Sequence, residues 1–261
     1  MRLAVVQTNP VPGAAEQNRA RARAWMERVP ADVYVLPELA FSGYNFVDRR
    51  QARARAETVN GPSVRWAEQF CRATGAHVLF GFPEASGGAI YNAAALVGPR
   101  GARGVYRKIH LFGKEKQFFR PGGAPCPVWA IGPVRVGVLV CFDWFFPEAA
   151  RGLALAGADV LLHPANLVLP HGPDAMITRC LENRVFAATA NRVGREDGAA
   201  GPLSFIGRSQ IVSPRGERLA RLGAGREGVA VARIDPRDAR NKRLATGNDL
   251  FRERRPALYR L

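Results

Sequence analysis

A carboxylate, an ammonium and a thiol each stand just past an apolar, β-prone run in this 261-residue chain. Glu38 follows residues 33–36, Lys108 follows 104–107, and Cys141 follows 136–140. In α/β sheets, ligands bind beyond the carboxyl ends of strands. If those three ends are neighbours, the three side chains converge. The set suits acyl transfer. A free cysteine titrates near ~8.5 and is mostly protonated at neutral pH, so a carboxylate must take its proton. A fixed cation stabilises the oxyanion that forms when sulfur attacks a carbonyl or nitrile carbon. Cys141 also precedes Pro147, a residue suited to a first helical position. Backbone N–H groups at such a strand-to-helix turn can point at the same oxyanion.

The elements that must position these groups alternate along the chain. Strands are expected over 3–7, 33–36, 77–80, 89–97, 104–107, 134–140, 160–162, 204–212 and 228–234. Helices are expected over 14–29, 63–74, 147–156 and 174–190, where apolar residues recur at helical spacing. Gly87-Gly88 and Pro99-Arg100-Gly101 read as turns, and 110–126 as irregular. The basic tail from Pro236 reads as extended, packing on a neighbouring subunit. No repeat or linker interrupts the pattern. It predicts one α/β domain over 1–261, with helices outside the sheets.

Composition narrows the function classes. With 47% hydrophobic and 23% charged residues, the chain fits a soluble globular protein and excludes low complexity and wholesale disorder. Its most apolar stretch, 134–146, is broken by Arg135 and Asp143. That is far short of the ~20 residues a membrane span needs. The N-terminus turns polar at Gln7, too early for a signal peptide, so a cytoplasmic location is expected. The net charge is +16, from 38 basic and 22 acidic residues. The basic residues are nearly all arginine, are scattered, and accompany no nucleic-acid motif. A codon-composition bias toward Arg, Ala and Gly explains them, and no specific nucleic-acid partner is expected. Cys71, Cys126, Cys141 and Cys180 form no C-x-x-C pair and, with His77, His110, His163 and His171, no zinc-ligand spacing. No metal is expected. Apart from Cys141, the cysteines read as core or surface thiols.

The local sequences are more specific than the residue types. Leu36-Pro37-Glu38-Leu39 with Gly43-Tyr44, then residues 106–112, then residues 141–148, resemble the three signatures of the nitrilase superfamily of carbon–nitrogen hydrolases, in that family's order. Gly81-Phe82-Pro83, Tyr91-Asn92-Ala93, His163-Pro164-Ala165-Asn166, Glu182-Asn183-Arg184 and Asn191-Arg192 are similar as well. The resemblance implies an α/β fold built as a four-layer α-β-β-α sandwich. It also implies pairing through the outer helices into a homodimer or higher assembly, and hydrolysis without a cofactor. Carried onto this chain, Cys141 is the nucleophile, Glu38 the general base and acid, and Lys108 the oxyanion cation. Glu115 matches a second glutamate that positions substrate, and the Phe142 N–H is the second oxyanion donor.

Asn166, beyond a strand end, and the aromatic Tyr44, Trp144 and Phe145 are candidates for the pocket wall, with plain packing the alternative for the aromatics. His110 reads as structural, and Asp143 and Glu148 as capping residues or partners of arginines such as Arg151. The expected activity is amidase, on small linear aliphatic amides. Nitrilase is the runner-up, and N-carbamoyl amide hydrolase is a further branch. A reading of a different class is an inactive binding scaffold of the same fold; intact Glu38, Lys108 and Cys141 argue against it.

Overall fold

Leu3 and Val5 point to one side of the first strand and Ala4 and Val6 to the other, and each side joins a different apolar cluster. That alternation sets the layering. The computed structural model describes residues 1–259. Its first half runs β1 (Arg2–Gln7), α1 (Ala15–Arg28), β2 (Val33–Val35), α2 (Arg49–Ala54), α3 (Pro62–Thr74), β3 (His77–Ser86), β4 (Ala89–Gly98), β5 (Gly101–Arg107) and α4 (Glu115–Phe118). The second half runs β6 (Val128–Ile131), β7 (Val134–Val138), α5 (Pro147–Leu155), β8 (Val160–Pro164), α6 (Gly172–Asn183), β9 (Phe186–Ala190), β10 (Arg195–Glu196), β11 (Leu203–Ser204), β12 (Gln210–Val212), β13 (Arg218–Arg221) and β14 (Gly228–Arg233).

Two six-stranded sheets result, in the orders β14-β1-β2-β3-β4-β5 and β13-β12-β9-β8-β7-β6. At the centre of each, three strands run parallel: β1, β2 and β3 in one, β7, β8 and β9 in the other. Leu3, Val5, Val35 and Leu79 of the first sheet share a cluster with Val136 and Val138 of the second. The outer side of the first sheet is covered by Ala22 and Met26 of α1 and by Val64, Ala67 and Phe70 of α3. Helix α5 covers the second sheet so closely that a Cβ on Gly137 would touch the Leu153 side chain at 3.1 Å. The layers are therefore α-β-β-α, as the resemblance implied. Helix α3 starts with Pro62 and stops at Gly75 in the left-handed region (φ +76°), as its sequence predicts.

Three expectations need correction. The helix expected over 174–190 is two elements: α6 ends at Asn183, Arg184 turns left-handed (φ +49°), and 186–190 is a buried strand between β8 and β12. Alanine-rich and buried on both faces, that strand has no period-two pattern to mark it, and the stop signal is an arginine where glycine is usual. The strand expected over 204–212 is likewise split. Leu203–Ser204 pairs with Arg195–Glu196, Gly207 and Arg208 turn left-handed, and Gln210–Val212 joins the second sheet. The tail is not simply extended. Pro236–Ala239 forms a 3-10 turn, Arg240 pairs with Asp159 at 3.0 Å, and Lys242 Nζ donates to the Asn183 and Arg184 carbonyls. No helix among the described residues is long and apolar enough to cross a membrane.

Candidate active site

Glu38 lies three residues past the end of β2, and the chain there is pressed against β3. Gly81 N–H donates to the Pro37 carbonyl at 3.0 Å, and Ala40 N–H donates to the Gly81 carbonyl at 2.9 Å. A Cβ on Gly81 would sit 2.5 Å from Glu38 Cα, so only glycine admits this approach. Leu39 completes the bend in the left-handed region (φ +48°). Gly81→Ala is expected to push the Glu38 backbone aside, lowering kcat/KM about tenfold or more and stability by about 1–3 kcal/mol; steady-state kinetics and thermal unfolding check it.

The Glu38 carboxylate is fully buried. Its Oε1 accepts from Lys108 Nζ and from Asn92 Nδ2, both at 2.7 Å. Its Oε2 is buried and has no partner. One oxygen is thus clamped and the other is free to accept. Burial raises the Glu38 pKa to about 6, Lys108 opposing the rise and Glu115 adding to it.

Lys108 begins the loop after β5 and is also fully buried. Besides Glu38, its Nζ contacts both Glu115 oxygens at 2.9 Å. Burial disfavours its charge, but Glu115 and Glu38 outweigh burial and hold its pKa well above the usual lysine value. The ammonium has three hydrogens and three carboxylate oxygens around it. To serve an oxyanion it must release one oxygen, and the bidentate contact with Glu115 is the one it can halve. Glu115 itself, at the start of α4, accepts from the Tyr44 hydroxyl at 2.6 Å and from Asn92 Nδ2 at 3.3 Å.

Cys141 opens a 3-10 turn, 141–145, that ends at the Pro147 start of α5, and its backbone is left-handed (φ +44°). Burial pushes its thiol pKa well up, Glu38 adds to the rise, and Lys108 and the Asn166 backbone N–H oppose it. The thiol therefore faces the cluster as S–H and needs a base. Asp143 fixes the turn. It accepts from the Val140 N–H at 2.8 Å and the Tyr106 hydroxyl at 2.8 Å, and meets the His110 ring at 2.8 Å. His110 stacks on Phe146 and is structural, as expected. Asp143 caps as expected, but its partners are a tyrosine and a histidine rather than an arginine.

The other expected site residues divide. Phe142, Trp144 and Asn166 line a cleft over Cys141, together with Phe112 and the 167–169 segment. Asn166 Nδ2 also donates to the Glu38 carbonyl at 2.8 Å. Tyr44 is buried beside the cluster, where its hydroxyl holds Glu115 and its ring meets Phe205 edge-on. Phe145 is 52% exposed and packs on the outside of Trp144 and Phe142. The sequence reading missed Asn92 and Glu196 as site residues. The buried Glu196 accepts from the backbone N–H groups of Tyr44 and Asn45 and pairs with Arg192, which anchors the loop that carries Tyr44. Among the described residues, no cluster of three or more His, Cys, Asp or Glu is placed to hold a metal.

A model of the carbon–nitrogen hydrolase family matches residues 2–244. A protein named nitrilase from Pyrococcus abyssi is 45% identical over 263 residues, which cover 99% of each chain. An (R)-stereoselective amidase from a Pseudomonas species is 38% identical over 201 residues, 76% of this chain and 70% of its own. Among solved structures, an amidase from a Nesterenkonia species superimposes with a TM-score of 0.81 at 26% identity, covering 99% of this chain and 94% of its own.

Proposed function

This chain belongs to the carbon–nitrogen hydrolase family, and we propose that within it the protein is an amidase that converts small linear aliphatic amides to carboxylic acid and ammonia through a thioester on Cys141. One observation carries the reading. A buried carboxylate with a free oxygen, a buried ammonium and a second carboxylate all act on the same buried thiol.

In the proposed cycle Glu38 Oε2 takes the Sγ–H proton as sulfur attacks the amide carbon. Lys108 and the Phe142 N–H hold the oxyanion of the tetrahedral intermediate. Glu38 returns the proton to the amide nitrogen, the C–N bond breaks and ammonia leaves. A water then gives a proton to Glu38 and its oxygen to the thioester carbon. When that second intermediate collapses, the acid departs and the proton returns to sulfur. Glu115 keeps the Lys108 ammonium in place throughout.

The size and lining of the cleft support a small apolar acyl group. Its cavity volume is about 20 Å³, far below the roughly 300–1,000 Å³ of ordinary ligand pockets. Phe112, Phe142, Trp144, Leu167 and Leu169 wall it, and no charged side chain lies among its lining residues. An N-carbamoyl amine with a charged far end finds no counter-ion there. Nitrilase is the second reading, and the nitrilase name of the 45%-identical relative favours it. The same groups serve a nitrile, whose first adduct is a thioimidate that must take up water before ammonia leaves.

A panel of C2–C6 amides and nitriles, with ammonia detection and intact-mass analysis of the Cys141 adduct, tests both. Ammonia from amides alone supports the amidase. Ammonia from nitriles transfers the proposal to the nitrilase. Release from neither, with no adduct, leaves the inactive scaffold. We extend the proposal to a homodimer formed through the α5–α6 side, where Phe145, Leu155 and Leu181 are exposed apolar side chains. Sedimentation is expected to give twice the 28.4 kDa chain mass.

A further inference from the structure

His163 contacts the nucleophile's own backbone, and the proposed cycle has not used it. It lies on β8, buried to 0% exposure, with Nε2 2.9 Å from the Cys141 carbonyl oxygen and Nδ1 3.1 Å from Thr189 Oγ1. Thr189 is its register partner on β9, itself 1% exposed. The tautomer follows from the partners. A carbonyl only accepts, so Nε2 carries the hydrogen; Nδ1 is then a lone pair, and the threonine hydroxyl donates to it. Burial lowers the imidazole pKa to about 4, which keeps the ring neutral near pH 7 with this one tautomer.

The contact matters because of what the carbonyl is joined to. The Cys141 carbonyl and the Phe142 N–H belong to one peptide plane, and in a trans peptide they point in opposite directions. Tying the oxygen to β8 therefore aims the Phe142 N–H the other way, out toward the cleft that Phe142 and Cys141 line. The tie also restrains a cysteine at φ +44°, a left-handed conformation that disfavours a non-glycine residue and needs the surroundings to hold it. The chain just past β8 carries the Asn166 N–H that faces the thiol and the Asn166 side chain that holds the Glu38 carbonyl.

We infer that His163, fixed by Thr189, is a positioning residue of the oxyanion site: by holding the Cys141 carbonyl it orients the 141–142 peptide so that the Phe142 N–H meets the developing oxyanion. The inference rests on the thioester cycle proposed above. It predicts a split between two reactions of one sulfur. Amide hydrolysis builds an oxyanion. Methyl methanethiosulfonate does not: the thiolate forms an S–S bond and methanesulfinate leaves, with no carbonyl involved.

The test is His163→Leu, His163→Gln and Thr189→Val, each compared with wild type for amide turnover and for the thiosulfonate rate at Cys141 by peptide mass spectrometry. His163→Leu is expected to lower kcat about 100-fold, with KM and the thiosulfonate rate within about threefold. His163→Gln, whose amide nitrogen reaches about where Nε2 lies, is expected to recover at least about tenfold of that loss. Thr189→Val, the milder change, is expected to lower kcat about tenfold with the same split, and it decides the matter if His163→Leu fails to fold. Unchanged kcat overturns the inference, and so does an equal fall in both rates, which marks a merely structural histidine. A wild-type protein inert to amides and nitriles overturns the cycle itself; a wild type that turns over while the variants keep pace overturns the histidine's role alone.

Discussion

Cys141→Ala is expected to abolish ammonia release from every amide the wild-type protein hydrolyses, a fall of order 10⁵–10⁶-fold, to the uncatalysed background. In the proposed cycle the sulfur is the atom that bonds to carbon, and without it the carboxylate–ammonium cluster has nothing to activate. The fold should tolerate the change. The side chain is small, and its turn is held by Asp143 and by the His163 contact to the backbone, not by the thiol. Midpoints of thermal unfolding within a few degrees of wild type, with activity gone, are the expected pair of results. Cys126→Ala is the control. Its thiol is also pushed up, to about 12 by burial, but it meets a tyrosine hydroxyl, with no proton-accepting carboxylate in contact. Turnover there should stay within about twofold of wild type. Amide hydrolysis by Cys141→Ala above a trace would put the nucleophile elsewhere and end the thioester scheme.

The three reactive groups were legible because each sits where a strand ends, and strand ends can be read locally. Val33 to Val35, Gly101 to Arg107 and Val134 to Val138 are strands, and Glu38, Lys108 and Cys141 follow them. Part of what holds those groups was not legible, because those supports pair across long sequence separations. Glu196 stands 152 residues from Tyr44, whose N–H it accepts, and it sits in a two-residue strand with no pattern of its own. Asn92 is an inward position of an otherwise apolar strand, and only the folded sheet shows that it reaches Glu38 and Glu115. The aromatic trio divided for a related reason. Composition marks Tyr44, Trp144 and Phe145 as alike, but the 3-10 turn sends Trp144 inward and Phe145 outward, and Tyr44 uses its hydroxyl rather than its ring face. Helix 174–190 failed on physics: a fully buried alanine-rich strand and a buried helix have the same hydropathy profile.

Glu38→Gln is expected to lower kcat about 10³-fold or more, the range that a positioned general base and acid supplies. Glutamine keeps the volume and can still accept from Lys108, but it can take no proton from sulfur and return none to nitrogen. The pH profile separates this role from simple packing. In the folded protein Glu38 titrates at about 6, raised from 4.5 by burial and by Glu115 against the pull of Lys108. Above that pH it is ionised and can accept the thiol proton; below it, it is already protonated. The kcat/KM of the wild-type enzyme should therefore fall about tenfold per pH unit below pH 6 and level off above it. The residual activity of Glu38→Gln should lack that acid limb. Glu115→Gln supplies the sign test. Removing the neighbouring negative charge makes Glu38 easier to ionise, so the limb should move to lower pH even as kcat falls from the loosened Lys108. A limb that moved to higher pH, or one that persisted unchanged in Glu38→Gln, would assign the titration to another group and take the proton shuttle away from Glu38.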